Sequence, residues 1–327
     1  MKIINKTNIN KNIIKNYIIT IPTYSRYLII YEQTLKTLYT CNIISDTIYL
    51  FLSSNEEYIY YLESYNNILD IKYKKWLSKC TCVIGKLGLS NQRNFISSFF
   101  NEGQNIIQMD DDIKNIYKLK YNSHNIKNKK LWKLESFIHK YKQITFKKYK
   151  LKLKNTLKNK KHKLESKNNN TQKPLLLHNL ENPINLHKLF IDVFNYCSNN
   201  NIYLWGVYPV ENSYFMSPNI TCDLRFIVGP FFGIINRHNK NLQLTINEKE
   251  NTQRTLQYWK IDNKVLRLNN ITIKTQYYKT KGGMQSEGKD RKKEAMKSVD
   301  FLHKKYPKLT KIYLGKKSGY PEIKLIK

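Results

Sequence analysis

Four short β-branched runs alternate with amphipathic stretches between residues 17 and 112, and this alternation constrains the fold more than any other feature of the chain. "YIITI" (17–21), "DTIYLFLS" (46–53), "CTCVIG" (80–85) and "NIIQM" (105–109) are apolar and bounded by Pro, Ser, Gly or Asp, so each reads as a buried strand. Residues 27–40 carry Leu28, Tyr31, Leu35 and Leu38 at helical spacing, and 56–65 reads as a second helix. "LSNQRNFISSFFNEG" reads as a third, with Ser90 as its N-cap and Phe95, Phe99 and Phe100 on its apolar face. Strand and helix in this order predict an α/β fold, a parallel sheet with helices on both faces. Ligands of such folds bind beyond the carboxyl ends of the strands. The "PTYSR" loop with Arg26, the helix bearing Arg93, and Asp110, Asp111 and Asp112 all follow strand ends, so they are expected to converge.

Charge makes the aspartates conspicuous. The chain of 327 residues has 57 Lys+Arg against 24 Asp+Glu, a formal net charge of +33. In an extended segment Asp110 and Asp112 share one side, while Asp111 faces the other or serves the next turn. Two carboxylates at a strand end suit Mg²⁺ or Mn²⁺, which keep positions open for phosphate oxygens. The competing reading is that they cap a helix beginning at Ile113, a task for which one aspartate is enough. Such a basic chain also favours polyanions, although a sequence saturated with Lys, Asn, Ile and Tyr reflects AT-rich codons as well. Arginine is therefore the more informative cation, and there are seven: Arg26, Arg93, Arg225, Arg237, Arg254, Arg267 and Arg291. Arg93, in the first turns of its helix, is placed to grip phosphate together with the helix amides.

The second half, residues 174–327, reads as α+β with mixed or antiparallel strands. It opens with an amphipathic helix at 184–200. Strand-like runs follow at 202–210, 214–217, 224–235, 242–246 and 265–278, with a helix at 249–260 and a basic helix at 288–307. Gly229-Pro230 and Gly233 in "VGPFFGII" predict a tight turn or a close backbone approach. Gly282-Gly283 predicts either a loop closing over a phosphate or an ordinary turn. Glu248 and Glu250, at the start of the 249–260 helix, are candidate general bases. Residues 118–173 form a Lys/Asn-rich insertion, low in complexity over 147–173, which reads as a nucleic-acid arm or a solvated charged loop. Residues 1–16 are a polar leader without the apolar core of a signal peptide. Five scattered cysteines show no metal spacing, and no apolar run reaches 18 residues, so a soluble intracellular protein is expected.

Taken as an ordered set, "IPTYSR", "GLSNQRNFI", "IIQMDDDI", "WGVYPVENSYFM", "FIVGPFFGII", "KENTQRTLQYW" and "VLRLNNITIKTQYYKTKGGMQ" resemble the TET-associated glycosyltransferases of phages, large viruses and some eukaryotic proteins. The resemblance spans residues 17–310 apart from the insertion. It implies a GT-A-like fold, with a nucleotide-sugar half at 17–117 and an acceptor-side half at 174–327. It implies a UDP-sugar donor and Mn²⁺ or Mg²⁺ held by Asp110 and Asp112. Pro22, Tyr24 and Arg26 match the first donor-binding loop. Arg93 matches the nucleotide-side arginine; Asn94 beside it, Asp111, Gly282 and Gly283 are read as further substrate-binding candidates. Glu250 falls where the family carries an acidic pair, but the second member here is Asn251, which leaves Glu248 in reserve as base. The implied acceptor is the hydroxyl of a hydroxymethylated base in DNA, in the cytoplasm or viral factory of an infected host. Protein or glycan acceptors, a metal-dependent nuclease and a nucleic-acid-binding protein are the competing classes.

Overall fold

The structure, a computed structural model, describes residues 2–4, 16–119, 180–181, 184–275, 282–283, 290–315 and 319–326. The chain divides into two units, 1–119 with 180–327 and 120–179, and the described residues belong to the first. The basic insertion beyond residue 119 lies outside them.

Strand β1 is Lys2–Ile4, so part of the expected polar leader is a strand, paired in parallel with residues 81–83. Strand β2 is Ile18–Pro22, β3 is Ile48–Leu52, β4 is Thr81–Ile84 and β5 is Asn105–Met109, the four strands read from the sequence. The 27–40 helix is in fact two, Ile29–Glu32 and Thr34–Thr40. The helix Asn55–Asn66 starts where Ser54 Oγ accepts the Glu57 amide. A further helix, Ile71–Leu77, is capped by Asp70 and was not anticipated. The third expected helix runs Leu89–Phe99. Its N-cap is Gly88 at φ 88°, not Ser90. Ser90 lies inside the first turn, where its amide and hydroxyl both donate to Asn247 Oδ1, at 3.0 and 2.7 Å.

After the aspartates comes a strand, β6 (Ile113–Leu119), not a helix. This removes the helix-capping explanation for three adjacent carboxylates. The remaining strands are β7 (Leu180–Glu181), β8 (Leu204–Tyr208), β9 (Ile220–Thr221), β10 (Phe231–Ile235) and β11 (Leu266–Thr275), with a separate hairpin β12 (Thr310–Tyr313) and β13 (Glu322–Leu325). The helices of this half are Leu186–Asn200, Glu250–Asp262 and Arg291–Lys305. Two expected strands are absent: 214–217 overlaps a 3-10 turn, Ser213–Phe215, and 242–246 is irregular. The final 276–278 of the last expected strand lies outside the described residues.

The large sheet is mixed, in the order β1-β4-β3-β2-β5-β10-β8-β11-β6-β7, with β9 beside β11. The first five strands of that order are parallel. β10 then runs antiparallel to β5 and to β8. The chain winds outward through β2, β3 and β4 and returns to set β5 on the other side of β2. That reversal opens a crevice at the carboxyl ends of β2 and β5.

Both faces of the sheet are covered. On one, Phe51, Phe99, Phe100, Ile106, Phe232 and Tyr258 join strands to the helices Leu89–Phe99 and Glu250–Asp262. Elsewhere Phe190 and Phe194 of the helix Leu186–Asn200 pack on Trp205, with Phe231 beside them. Each such ring, fully buried, contributes roughly 1.5–3 kcal/mol. Gly233 is explained here, because a Cβ at this position would run into the Trp205 indole. Among the described residues no helix is long and apolar enough to cross a membrane.

Candidate functional site

The loop after β2 is held before any ligand arrives. The Thr23 hydroxyl donates to Asp111 Oδ2 at 2.6 Å and lies 2.6 Å from the Tyr61 hydroxyl. Ser25, at φ 52°, donates its amide and hydroxyl to Glu57, at 2.9 and 3.2 Å. Glu57 and Tyr61 sit on the helix after β3, so the neighbouring βα unit shapes this loop. Gly283 donates its amide to Tyr24 O at 2.8 Å, which brings the Gly-Gly pair onto the same loop.

The aspartates occupy a turn, not an extended segment. Thr34 fastens that turn: its hydroxyl donates to Asp110 O at 2.7 Å and accepts the Ile113 amide at 2.8 Å. Strict alternation of side chains therefore does not apply, and all three carboxylates line the same cavity of about 300 Å³. Asp110 takes Arg93 Nη2 at 3.0 Å, and its side chain is 32 % exposed. Asp111 and Asp112 share Arg26 Nη1, at 2.7 and 3.2 Å. Burial, then the neighbouring carboxylates Asp110 and Asp111, pushes Asp112 up to about 7. Burial also raises Asp110, with Asp111 and Glu250 adding to it and Arg93 opposing. Two arginines thus leave the three carboxylates short of positive charge.

Glu250, reached from Asp110 through Arg93, is buried. Its Oε2 accepts Arg254 Nη1 at 2.7 Å, and its Oε1 stands 3.5 Å from Arg93 Nε. Arg254 in turn lies face-on to Phe232, 3.5 Å from the ring centroid, while burial first and Arg93 second lower its pKa to about 10 despite Glu250. A carboxylate gripped by two guanidinium groups is an anchor for them. Glu248 is held by Arg291 Nε at 2.7 Å.

Of the residues singled out from sequence, Pro22, Tyr24, Arg26, Arg93, Asp110, Asp111, Asp112, Glu248, Glu250 and Gly283 line this cavity. Gly282 packs against Ser25 O and the Arg26 side chain. Asn94 points elsewhere: its amide group makes two hydrogen bonds to the backbone of Leu244, at 2.8 and 2.9 Å. Sequence reasoning passed over Lys86, Asn247, Lys249 and Thr23, which also line the cavity. It also did not assign Arg291 to the site or Arg254 to Glu250, although their rarity as arginines was a usable signal.

Asp110 and Asp112 could hold a hard cation. Asp110 and Asp112 offer oxygen ligands only, as Mg²⁺ or Mn²⁺ requires. Among the described residues no group of three or more His, Cys, Asp or Glu side chains is arranged to enclose an ion. Two carboxylates with the balance supplied by a ligand's phosphates is the usual arrangement for Mg²⁺. No protein-family model, curated protein or solved structure matches the chain.

Proposed function

We propose that the chain is a metal-dependent glycosyltransferase of GT-A-like fold that moves a sugar from a UDP-sugar to a hydroxyl acceptor, a hydroxymethylated base in DNA. One observation carries the reading: an aspartate turn and an arginine-bearing loop face each other at the point where the strand order reverses, in a cavity of nucleotide-binding size. Asp110 and Asp112 would hold Mn²⁺ or Mg²⁺. The ion, when bound, neutralises a diphosphate and stabilises it as a leaving group. Arg26 keeps Asp111 and Asp112 in register, and Arg93 does the same for Asp110. Lys86, Lys249 and Arg291 add positive charge to the walls facing a polyphosphate. Glu250, which also anchors Arg93, and Glu248, held by Arg291, are the candidates for taking the proton from the acceptor.

The test is a screen of UDP-sugars for hydrolysis and transfer with Mn²⁺, without and with hydroxymethylated DNA. Release of UDP that rises with the modified DNA is the expected result. No turnover of any UDP-sugar, with or without DNA, would sink the reading. Cleavage of plasmid DNA with Mg²⁺ alone would assign the cavity to a nuclease. Transfer to a protein or glycan but not to DNA would keep the chemistry and change the acceptor.

A further inference from the structure

The two most exposed aromatic residues among the described ones are neighbours in the chain. Tyr214 is 70 % and Phe215 61 % exposed, and Val210 on the same loop is exposed as well. Single exposed rings are ordinary, but adjacent ones form an apolar patch, and such patches mark contact surfaces. The rings stand edge to face, with centroids 5.0 Å apart and planes at 87°. Their backbone is tied down. Asn212 Oδ1 accepts the Tyr214 amide at 3.0 Å, and Asn212 O accepts the Phe215 amide at 3.1 Å. Ser217 then donates its amide to Asn269 O at 3.1 Å, and earlier in the loop Glu211 meets Lys274 at 3.6 Å. Rings held in this way lose little freedom when a ligand stacks on them.

The topology sets this loop beside the aspartate turn. It follows β8, whose last residue, Tyr208, pairs with Thr272 of the parallel strand β11. Three residues on, Thr275 pairs with Ile113, the residue after Asp112. Lys274, which holds Glu211, lies opposite Asn115 of β6. In the strand order, the loops after β2 and after β8 fall on opposite sides of β5. The β2 loop lines the cavity, whereas Tyr214 and Phe215 stand outside its lining, on the other flank.

Charge separates the candidate occupants of this patch. Asn269, which holds Ser217, also accepts Arg267 Nε on its Oδ1 at 2.7 Å, so the arginine sits beside the segment that carries the rings. Arg267 lies over Tyr208, 5.2 Å from the ring centroid. Burial first and the neighbouring Arg225 second lower its pKa, while Asp223 pairs with Arg225, at 3.0 Å, and not with Arg267. A neutral glycan or an apolar peptide gains nothing from an unneutralised guanidinium. A nucleotide offers an aromatic face to the rings and a phosphate to the arginine.

We propose that Tyr214 and Phe215 are a stacking platform for an unpaired base of a polynucleotide acceptor, with Arg267 on the side of its phosphate. The proposal rests on the reading of the aspartate cavity as a glycosyltransferase site acting on DNA. A base inside a duplex must leave its stack before its substituent can react, and these rings replace part of the stacking it loses.

The test reads binding that depends on bases, because a chain of net charge +33 attracts phosphates in any case. Fluorescence anisotropy of the full chain, with chelator present, compares a short labelled oligothymidylate with an abasic strand of equal length. The parent chain should prefer the thymidine strand roughly tenfold or more. Tyr214→Ala combined with Phe215→Ala should abolish that preference. Phe215→Trp should keep it and add tryptophan quenching with the thymidine strand but not with the abasic one. Both side chains are exposed, so the double variant should melt with the parent. Equal affinity of the parent for the two strands, or a preference that survives in the double variant, would overturn the proposal. So would a parent dimer in sedimentation that the double variant lacks, with no preference for bases: the pair is then an interface between copies. Neither donor nor metal enters these measurements, so the platform and UDP-sugar turnover can fail independently.

Discussion

Arg254 holds Glu250 at 2.7 Å from one turn further along the same helix, and both side chains are about 5 % exposed. Glu250 reaches on to Arg93, and Arg93 to Asp110, so a chain of alternating charges leads from the helix to the aspartate turn. Taking one member from a buried pair strands the other, at a cost of about 3–5 kcal/mol. Glu250→Gln and Arg254→Met should each destabilise by that order in urea unfolding. The double variant should lose much less than the sum, because neither charge is then left alone. If Glu250 serves only to position Arg93, Glu250→Gln lowers turnover without changing the shape of the pH–rate profile. Loss of the acidic limb of that profile would instead make Glu250 the base.

Asp112 gives a pH dependence with a definite sign. Its folded pKa is about 7, well above the usual carboxylate value near 3.9 in the unfolded chain. Between those values the folded state binds the extra proton, so stability falls as pH rises through that window. Below it the protonated form carries no penalty. Asp112→Asn should flatten the fall, leaving the variant more stable than the parent at pH 8 by on the order of 1 kcal/mol or more. Thermal unfolding from pH 4 to 8, with chelator present throughout, checks this. A parent chain whose stability rises across the window contradicts it.

Much of the first half was legible because the signals were local. Each of the strands at 18–22, 48–52, 81–84 and 105–109 is a continuous apolar run, and such runs declare buried strands without reference to partners. The second half was less legible for the opposite reason. The stretch 242–246 alternates like a strand but finds no partner, because Asn94 and Gln253 take its backbone amides at Leu244, Thr245 and Ile246 instead. Ser90 looked like an N-cap until Asn247, 157 residues away in sequence, took its amide and hydroxyl. The alternation argument put Asp110 and Asp112 on one side, but the backbone turns at Asp111. Side-chain bonds across the fold decide such details, and spacing along the chain carries no trace of them.

Metal should act on this protein as a ligand of the folded state. If Asp110 and Asp112 hold the proposed ion, Mn²⁺ together with UDP should raise the melting temperature of chelator-treated protein. At one hundred times the dissociation constant the gain is about 2.7 kcal/mol. Asp112→Asn should abolish most of the gain from Mn²⁺, and Asp110→Asn likewise. An unchanged melting temperature in the parent chain would count against a metal at these residues. An equal gain in both variants would place the ion elsewhere.

Gly282 tests whether the Gly-Gly pair shapes the loop after β2 and, with it, the proposed UDP site. It sits at φ 95°, and a Cβ there would meet Ser25 O, with Arg26 Cγ next at 2.8 Å. Only a residue without a side chain fits both conditions. Gly282→Ala must push the 282–283 segment away from the loop, breaking the bond from Gly283 N to Tyr24 O. The global fold does not rest on that bond, so loss of stability should stay near 1–2 kcal/mol. Arg26 would lose the packing that keeps its guanidinium against Asp111 and Asp112. UDP affinity, measured by calorimetry with Mn²⁺, should therefore drop roughly tenfold while the unfolding transition stays cooperative. Unchanged UDP affinity in a folded Gly282→Ala protein would make the pair an ordinary turn.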